Sequence, residues 1–551
     1  LYDQTCAAEK RRRRKRGLME DPPKRVFINE AVCEGCGDCS VKSNCVSVEP
    51  LETEFGRKRT INQSSCNKDY SCVNGFCPSF VTLDGAKPRV SKVDADIRSF
   101  NLPTPKLPEL ADNSWNIVIC GIGGTGVTSI GAILGAAAHI EGKRSATLDM
   151  MGLAQKGGSV TSFVKIAADK TQIFAPRVAT GAADLILACD MIVATKPDAM
   201  DTAREGRTFI AANADVVPTA QFVTDNTVQY DKAAMLRRLE RSGRGTKSTR
   251  ADALAFKLLG DSIYANMFLT GFAFQHGQIP LSAEAIEQAI ELNGASVKQN
   301  IRAFNYGRLA AHDPAAAEKL AGLTEAPKPT QSFEELVERR VQMLTGYQNA
   351  AYAGEYRAVV DAARLAEKRL AMSGFAEAVA KGLYKLMAYK DEYEVARLYT
   401  DGNFKSRLAK EFDGDYTMNF HMSPPLFAPK DPDTGLPKKI EMGPWMFRAF
   451  HVLAALKGLR GGWLDIFGYT AERRLERQMI VDYLKVIDEL TSKLTPGNFA
   501  LATRIAALAL DIKGYGHIKH RNYEKAKAEE AKLLTQFRSG AESQAQKAAA
   551  E

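Results

Sequence analysis

Hydrophobic and polar positions change their period three times along this 551-residue chain. The first apolar run is short, Val26-Phe27-Ile28, and predicts a strand that opens a small unit with short loops, residues 25–90. Residues 91–114 carry Pro103, Pro105 and Pro108 with little periodicity and read as a linker. At Asn116-Ile117-Val118-Ile119-Cys120 a buried strand begins, followed by a helix over 127–140 and a strand from Ser145 to Leu148 that ends in Asp149. Thr161 to Ile166, Leu185 to Cys189 with Met191 to Ala194, and Thr208 to Ala211 continue as strands, and helical spacing follows over 251–275 and 282–304. This alternation predicts an open, mostly parallel α/β sheet for residues 115–324.

From about 325 the character shifts to Lys, Glu, Ala and Leu at helical spacing, as in Phe333 to Met343 and Arg473 to Leu490. Residues 325–551 are therefore expected to form a mainly α domain. Within it, 411–445 read as irregular and rich in Pro and Gly, and the tail after Gly540 as frayed.

Composition adds little: 45% hydrophobic and 25% charged residues are ordinary for a globular protein. The net charge of +9 owes much to Lys10-Arg-Arg-Arg-Arg-Lys-Arg16, seven positives in a 1–24 basic connector. No nucleic-acid-binding motif or aromatic platform accompanies that run, so it reads as a solvated arm or one docked on an acidic surface, and nucleic-acid binding is not expected. From Ile117 to Ile140 there is no formal charge, but Gly121, Gly123, Gly124 and Gly126 interrupt the stretch, so no membrane span is expected. Leu1-Tyr2-Asp3-Gln4 has neither a start methionine nor a signal-type apolar core, and the chain reads as a piece of something longer.

The cysteines change the picture. Seven of ten lie between Cys33 and Cys77. Cys33-x2-Cys36-x2-Cys39 with Cys45, then Cys66, Cys72 and Cys77-Pro78, has ferredoxin spacing, in which a C-x2-C-x2-C triplet binds one iron–sulfur cube. In the bacterial two-cluster pattern the fourth cysteine of each run serves the other cluster. On that pattern one [4Fe-4S] cluster takes Cys33, Cys36, Cys39 and Cys77. The other takes Cys45, Cys66, Cys72 and, by elimination, Asp69, which stands where a middle cysteine belongs; alternatively Asp69 is a surface aspartate. An α+β ferredoxin-like 2[4Fe-4S] module in a reducing, cytoplasmic setting follows. Cys120 and Cys189 fall in apolar strands and read as packed thiols; Tyr515, His517 and His520 read as a packed loop.

Gly121-Ile-Gly123-Gly124-Thr125-Gly126, between strand and helix, is the arrangement that turns backbone N–H groups toward a phosphate, and a tight structural turn is the plainer reading. Asp149 lies 23 residues past Gly126, where a ribose-binding acid is expected. The glycine-rich Gln155-Lys156-Gly-Gly-Ser-Val160 is not called for by dinucleotide recognition; Lys156 is a candidate anion contact.

The glycine loop together with Gln155–Val160 resembles the gamma domain of the 2-oxoacid:ferredoxin oxidoreductases. The order of cluster module then gamma domain, the basic connector, and the segments Phe467–Arg477 and Asp511–Lys519 resemble the fused indolepyruvate type in that family. The resemblance implies oxidative decarboxylation of an aryl pyruvate such as indolepyruvate on thiamine diphosphate and Mg. Electrons pass through the clusters to ferredoxin, CoA accepts the acyl group, and the assembly is homo-oligomeric. The family's Gly-Asp-Gly…Asn-Asn thiamine signature is absent from this sequence, so that centre is expected on a further segment or a partner subunit, and catalytic residues stay unassigned. Competing readings are an iron–sulfur oxidoreductase with a nicotinamide or flavin at Gly121–Gly126, and a non-catalytic electron-transfer or assembly subunit.

Overall fold

The chain is described here by a computed structural model covering residues 7–15, 17–89, 100–110, 113–151, 158–217, 222, 225, 228, 230–323, 332–424, 428–432 and 435–550. The cysteine module is built on strands β1 (Lys24–Ile28), β2 (Val48–Thr53), β3 (Gly56–Ile61), β4 (Phe80–Asp84) and β5 (Lys87–Pro88). The antiparallel β1–β4 pair aligns Phe27 with Val81 and Ile28 with Phe80, and β2 pairs with β3 as a separate hairpin. Alternate residues of β1 point to opposite faces. Val26 and Ile28 join Phe80 in a core that includes Cys33, Cys39 and Cys72, whereas Phe27 joins Val81 and Leu83 in a different core. That is why the run Val26-Phe27-Ile28 is apolar without alternation: both faces of its strand are buried.

The next part is a six-stranded sheet of β6 (Trp115–Ile122), β7 (Arg144–Met151), β8 (Ser159–Ala167), β9 (Leu185–Ala188), β10 (Phe209–Asn213) and β11 (Gly245–Thr249), in the order β11-β10-β9-β6-β8-β7. Neighbours from β11 to β6 pair in parallel, and β8 runs antiparallel to both β6 and β7. Ile117 and Ile119 face one core with the helices Val127–Ile140 and Ala265–Gln275; Val118 and Cys120 face the other. Helices Ala265–Gln275 and Val297–His312 pack closely enough that a Cβ on Gly271 would lie 1.8 Å from the Phe304 carbonyl oxygen, and one on Gly307 1.8 Å from that of Phe268.

Two sequence expectations change here. Met191–Ala194 is a helical turn rather than a strand, because the Asp190 carboxylate accepts the Val193 N–H at 2.8 Å and caps it. Asp149, on β7, is separated from β6 by the whole of β8, about 9–10 Å across two strand spacings. The glycine loop and this acid therefore do not meet as they would around a dinucleotide.

The C-terminal part is mainly helical, from Phe333–Tyr347, held by a Ser332/Glu335 capping box, to a helix that runs from Gly516 to Ala550 through the tail expected to fray. Residues 411–445 are not merely irregular. They supply β12 (Phe412–Asp413), β13 (Thr417–Met422) and β14 (Ile440–Met442). β13 pairs antiparallel with β4 and β14 extends it, so the module's sheet reads β1-β4-β13-β14. The core with Phe27 and Val81 is completed by Tyr399, Phe404, Phe420, Phe450 and Tyr515. No helix among the described residues is long and apolar enough to cross a membrane.

Candidate functional site

The cysteine loops are shaped by left-handed backbone at Gly35, Gly37, Asn44, Lys68 and Tyr70, the last three uncommon for residues with a side chain. Each of the last two is anchored: Lys68 by an ion pair with Asp21, Tyr70 by its hydroxyl, which donates to the Lys24 carbonyl at 3.2 Å. Gly35 is required on space as well, since a Cβ there would stand 1.9 Å from the Arg57 carbonyl oxygen.

These turns divide the seven cysteines into two sets. Cys33, Cys36, Cys39 and Cys77 line one pocket, with about 300 Å³ of space between protein atoms, solvent mouth included. Ile28, Phe76 and Phe80 form its apolar wall. Burial pushes the Cys36 thiol up to about 12, with Cys77 and Cys33 adding to the effect, and raises Cys39 and Cys77 in the same direction. Cys66 and Cys72 are also raised by burial; Cys45 and Asp69 push both further up, Cys66 does the same to Cys72, and Arg25 opposes the rise at Cys66. The backbone N–H of Gly35 donates to Cys33 Sγ at 3.3 Å and that of Lys68 to Cys66 Sγ at 3.4 Å; Cys77 Sγ and Ser79 Oγ are 3.0 Å apart.

Do these residues fit an iron–sulfur cluster? Arg59 lines the first pocket at 1% exposure, stacked on the Phe222 ring with its guanidinium 4.8 Å from the centroid. Its Nε and Nη2 are buried without a hydrogen-bond partner. Nη1 donates to the Lys58 carbonyl at 3.3 Å, but a buried guanidinium with two unpartnered nitrogens beside four thiols is costly unless an anionic group occupies the pocket. A thiolate-ligated cluster is such a group, and iron would also offset the burial that keeps the thiols protonated. The residues fit. No three His, Cys, Asp or Glu side chains among the described residues form a group able to hold a single metal ion.

Asp69 stands on the exposed side of the second set. Its Oδ1 accepts the Ser71 N–H at 3.1 Å and the Ser71 hydroxyl at 2.9 Å, closing the turn before Cys72. Cys120 is buried in β6, and Cys189 is buried in the bend just past β9 rather than in a strand.

The glycine loop is tied down by its own chain. The Gly123 N–H donates to the Gly158 carbonyl at 2.7 Å, Asn266 Nδ2 to the Thr125 carbonyl at 3.0 Å, and Arg11 Nη2 to the Gly124 carbonyl at 3.3 Å. A Cβ on Gly121 would meet Val127 Cγ2 at 2.8 Å, and Gly124 and Gly126 have φ of 84° and 94°. Two residues of the basic arm thus reach backbone carbonyls of this chain, Arg11 at Gly124 and Arg14 at Asn67. Lys156 lies outside the described residues.

Sequence reasoning missed the basic residues around the cysteines. Arg59, in Arg57-Lys58-Arg59, carries no signal that distinguishes it from a solvated charge. Tyr515 was read as packing only, yet its hydroxyl donates to the Val32 carbonyl, next to Cys33, at 2.6 Å.

Comparison with known proteins follows the same division. Residues 116–310 match the family described as pyruvate ferredoxin/flavodoxin oxidoreductase, and residues 333–532 match a family of unknown function, DUF6537. An indolepyruvate oxidoreductase subunit IorB from Pyrococcus horikoshii is 29% identical over 202 residues, 36% of this chain and 96% of its own length. Its counterpart from Methanothermobacter thermautotrophicus is 26% identical over 196 residues, 35% of this chain and 96% of its own. Among solved structures, a keto/oxoacid ferredoxin oxidoreductase gamma subunit from Geobacter sulfurreducens covers 36% of this chain and 98% of itself at 23% identity and a TM-score of 0.26. The 2-oxoglutarate:ferredoxin oxidoreductase from Magnetococcus marinus covers 36% and 31% at 16% identity and a TM-score of 0.27. The six-stranded domain, residues 116–310, is thus similar to the 2-oxoacid:ferredoxin oxidoreductases, by its family match and by relatives that align to about a third of the chain.

Proposed function

We propose that this chain is the electron-transfer and gamma component of a 2-oxoacid:ferredoxin oxidoreductase carrying two [4Fe-4S] clusters. The observation that carries the reading is the separation of the cysteines into two sets, the first enclosing a pocket lined by Arg59, whose Nε and Nη2 have no partner. Cys33, Cys36, Cys39 and Cys77 hold one cluster; Cys45, Cys66 and Cys72, with Asp69, hold the other. When bound, each cluster takes up one electron at a time, so that a two-electron oxidation can leave the substrate in two steps. The residues of the chain do the rest. The Gly35 and Lys68 N–H groups place positive dipoles on ligand sulfurs, Arg59 balances charge in the first pocket, and the wall of Ile28, Phe76 and Phe80 excludes water from it.

The substrate we propose is an aryl pyruvate such as indolepyruvate, oxidised to the acyl-CoA with ferredoxin as acceptor. Thiamine diphosphate and Mg would sit on another segment or a partner subunit. The names of the IorB relatives support the substrate class. A nicotinamide at Gly121–Gly126 is disfavoured, because β8 stands between that loop and Asp149.

Iron and acid-labile sulfide analysis under anaerobic conditions, with low-temperature EPR of the dithionite-reduced chain, tests this. About eight iron per chain and two interacting signals are expected for two cubes; zinc without a signal would sink the proposal. At the second site, Asp69→Asn keeps the Ser71 turn but removes the carboxylate charge, so an altered second signal with the first intact is expected. An unchanged spectrum would return Asp69 to a turn-forming role.

A further inference from the structure

Segment 333–532, matched only to a family of unknown function, reaches the cysteine loops from several sides. The Tyr515 hydroxyl donates to Val32 O at 2.6 Å and that of Tyr399 to Pro78 O at 2.7 Å. The Lys390 ammonium donates to Val32 O and Cys33 O, both at 3.2 Å, and pairs with Glu34 at 2.6 Å. Glu34 also pairs with Lys385, so two lysines share one carboxylate beside Cys33. The Lys439 ammonium donates to Val73 O at 2.8 Å, one residue from Cys72, and lies 4.7 Å from the ring centroid of Phe80, which lines the first pocket. A Cβ on Gly514 would be 3.4 Å from Cys36 Cβ, so the Lys513–Gly516 turn is pressed on the first triplet.

Lys390 and Lys439 occupy different places. Lys390 is bonded to the backbone at Val32 and Cys33, beside the first set. Lys439 touches both sides: it is bonded to Val73 O, next to Cys72 of the second set, and its ammonium lies over Phe80 in the wall of the first pocket. Lys439 thus stands between the two sets, on the strand side that β13 and β14 add to the module.

We propose that segment 333–532 completes the cluster module, and that Lys390 and Lys439 are positioning residues setting the reduction potentials: Lys390 that of the first cluster, Lys439 those of both. This rests on the reading that the two cysteine sets hold clusters. Reduction adds one negative charge to a cluster, and a nearby fixed positive charge in a partly dry site favours the reduced form. Lys390→Gln removes one positive charge and leaves Glu34 with Lys385 as its partner.

EPR-monitored redox titration of the full chain, with iron analysis on each sample, is the test. Lys390→Gln is expected to lower the first midpoint alone, and Lys439→Gln both. The expected size is at least tenfold in the reduction equilibrium, about 59 mV for one electron. Lys439→Arg, which keeps the charge, is expected to retain the wild-type midpoints. Wild-type midpoints in both Gln variants at full iron content would overturn the inference and leave the cluster reading standing. An Arg variant shifted as far as the Gln variant would overturn it too, since charge would then not be the cause. Absence of iron from the wild-type chain would instead remove the reading beneath it.

Discussion

Gly75→Ala is the most incisive perturbation of the proposed cluster site. Gly75 has φ −57° and ψ 132°, a conformation open to alanine, so the substitution isolates a contact from any backbone effect. An added Cβ would lie 2.7 Å from Cys39 Cα and Cβ and 2.9 Å from Cys39 N, where ordinary contact begins at 3.4 Å. The two segments must therefore part by about 0.7 Å, the difference between 3.4 and 2.7 Å. They cannot do so freely: the Asp38 carboxylate accepts the Phe76 N–H at 2.7 Å, and the Gly75 carbonyl accepts the Cys77 N–H at 2.9 Å. Overpacking of this kind costs about 1–3 kcal/mol, and a metal ligand tolerates displacements of only about 0.2 Å. Cys39 and Cys77 both belong to the first set. Iron is expected to fall from about eight to about four per chain, with the first EPR signal lost and the second retained. A Gly75→Ala chain with full iron, the wild-type spectrum and unchanged thermal stability would refute the reasoning.

Further outcomes follow from the packing. Arg460 and Asp391 form a buried bidentate pair at 2.5 and 2.9 Å, and Arg460 also donates to Tyr347 O at 2.7 Å. Arg460→Met strands the carboxylate and should cost about 3–5 kcal/mol in chemical denaturation, with a loss below about 1 kcal/mol contradicting it. Gly271→Ala, aimed at the Phe304 carbonyl, should cost about 3 kcal/mol or abolish soluble expression, whereas Gly354→Ala, with nothing within 4 Å, should be neutral or stabilising by up to about 1 kcal/mol. Burial lowers His421, beside Thr82 Oγ1 at 3.0 Å, to about 4 from its ordinary 6.5. The unfolded chain then binds the proton more readily, so stability held above pH 6.5 is lost as pH falls toward 4, by at most about 3 kcal/mol. His421→Gln should flatten that slope in a pH series of thermal melts; an unaltered slope would assign the dependence to other groups.

Local signals made much of this protein legible in its sequence. The close spacing of Cys33, Cys36 and Cys39 encodes that these three thiols stand together, because so few residues separate them. The same holds for the Val127–Ile140 helix, bounded by Gly126 and by the end of its apolar stripe, and for β6, whose unbroken apolar run reflects burial on both faces. Where a short apolar run could form either strand or helix, as at Met191–Ala194, the Asp190 cap decided, and periodicity could not.

Contacts between segments far apart in the chain had no local signature. Thr417–Met422 lies in a Pro- and Gly-rich stretch, and pairing with β4, more than 300 residues earlier, as well as with β14 makes it a strand of the module's sheet. Asp149 sits at a suggestive distance from the glycine loop in sequence, but the insertion of β8 between β6 and β7 moves it away. Charged side chains show this most plainly: Arg59, Lys390 and Lys439 look like solvated residues in sequence, and their burial against the cysteines exists only once three segments close on one another. Sequence alone determined the cysteines' chemistry and spacing; the tertiary structure decided the charges and walls around them, because desolvation depends on neighbours that chain order does not reveal.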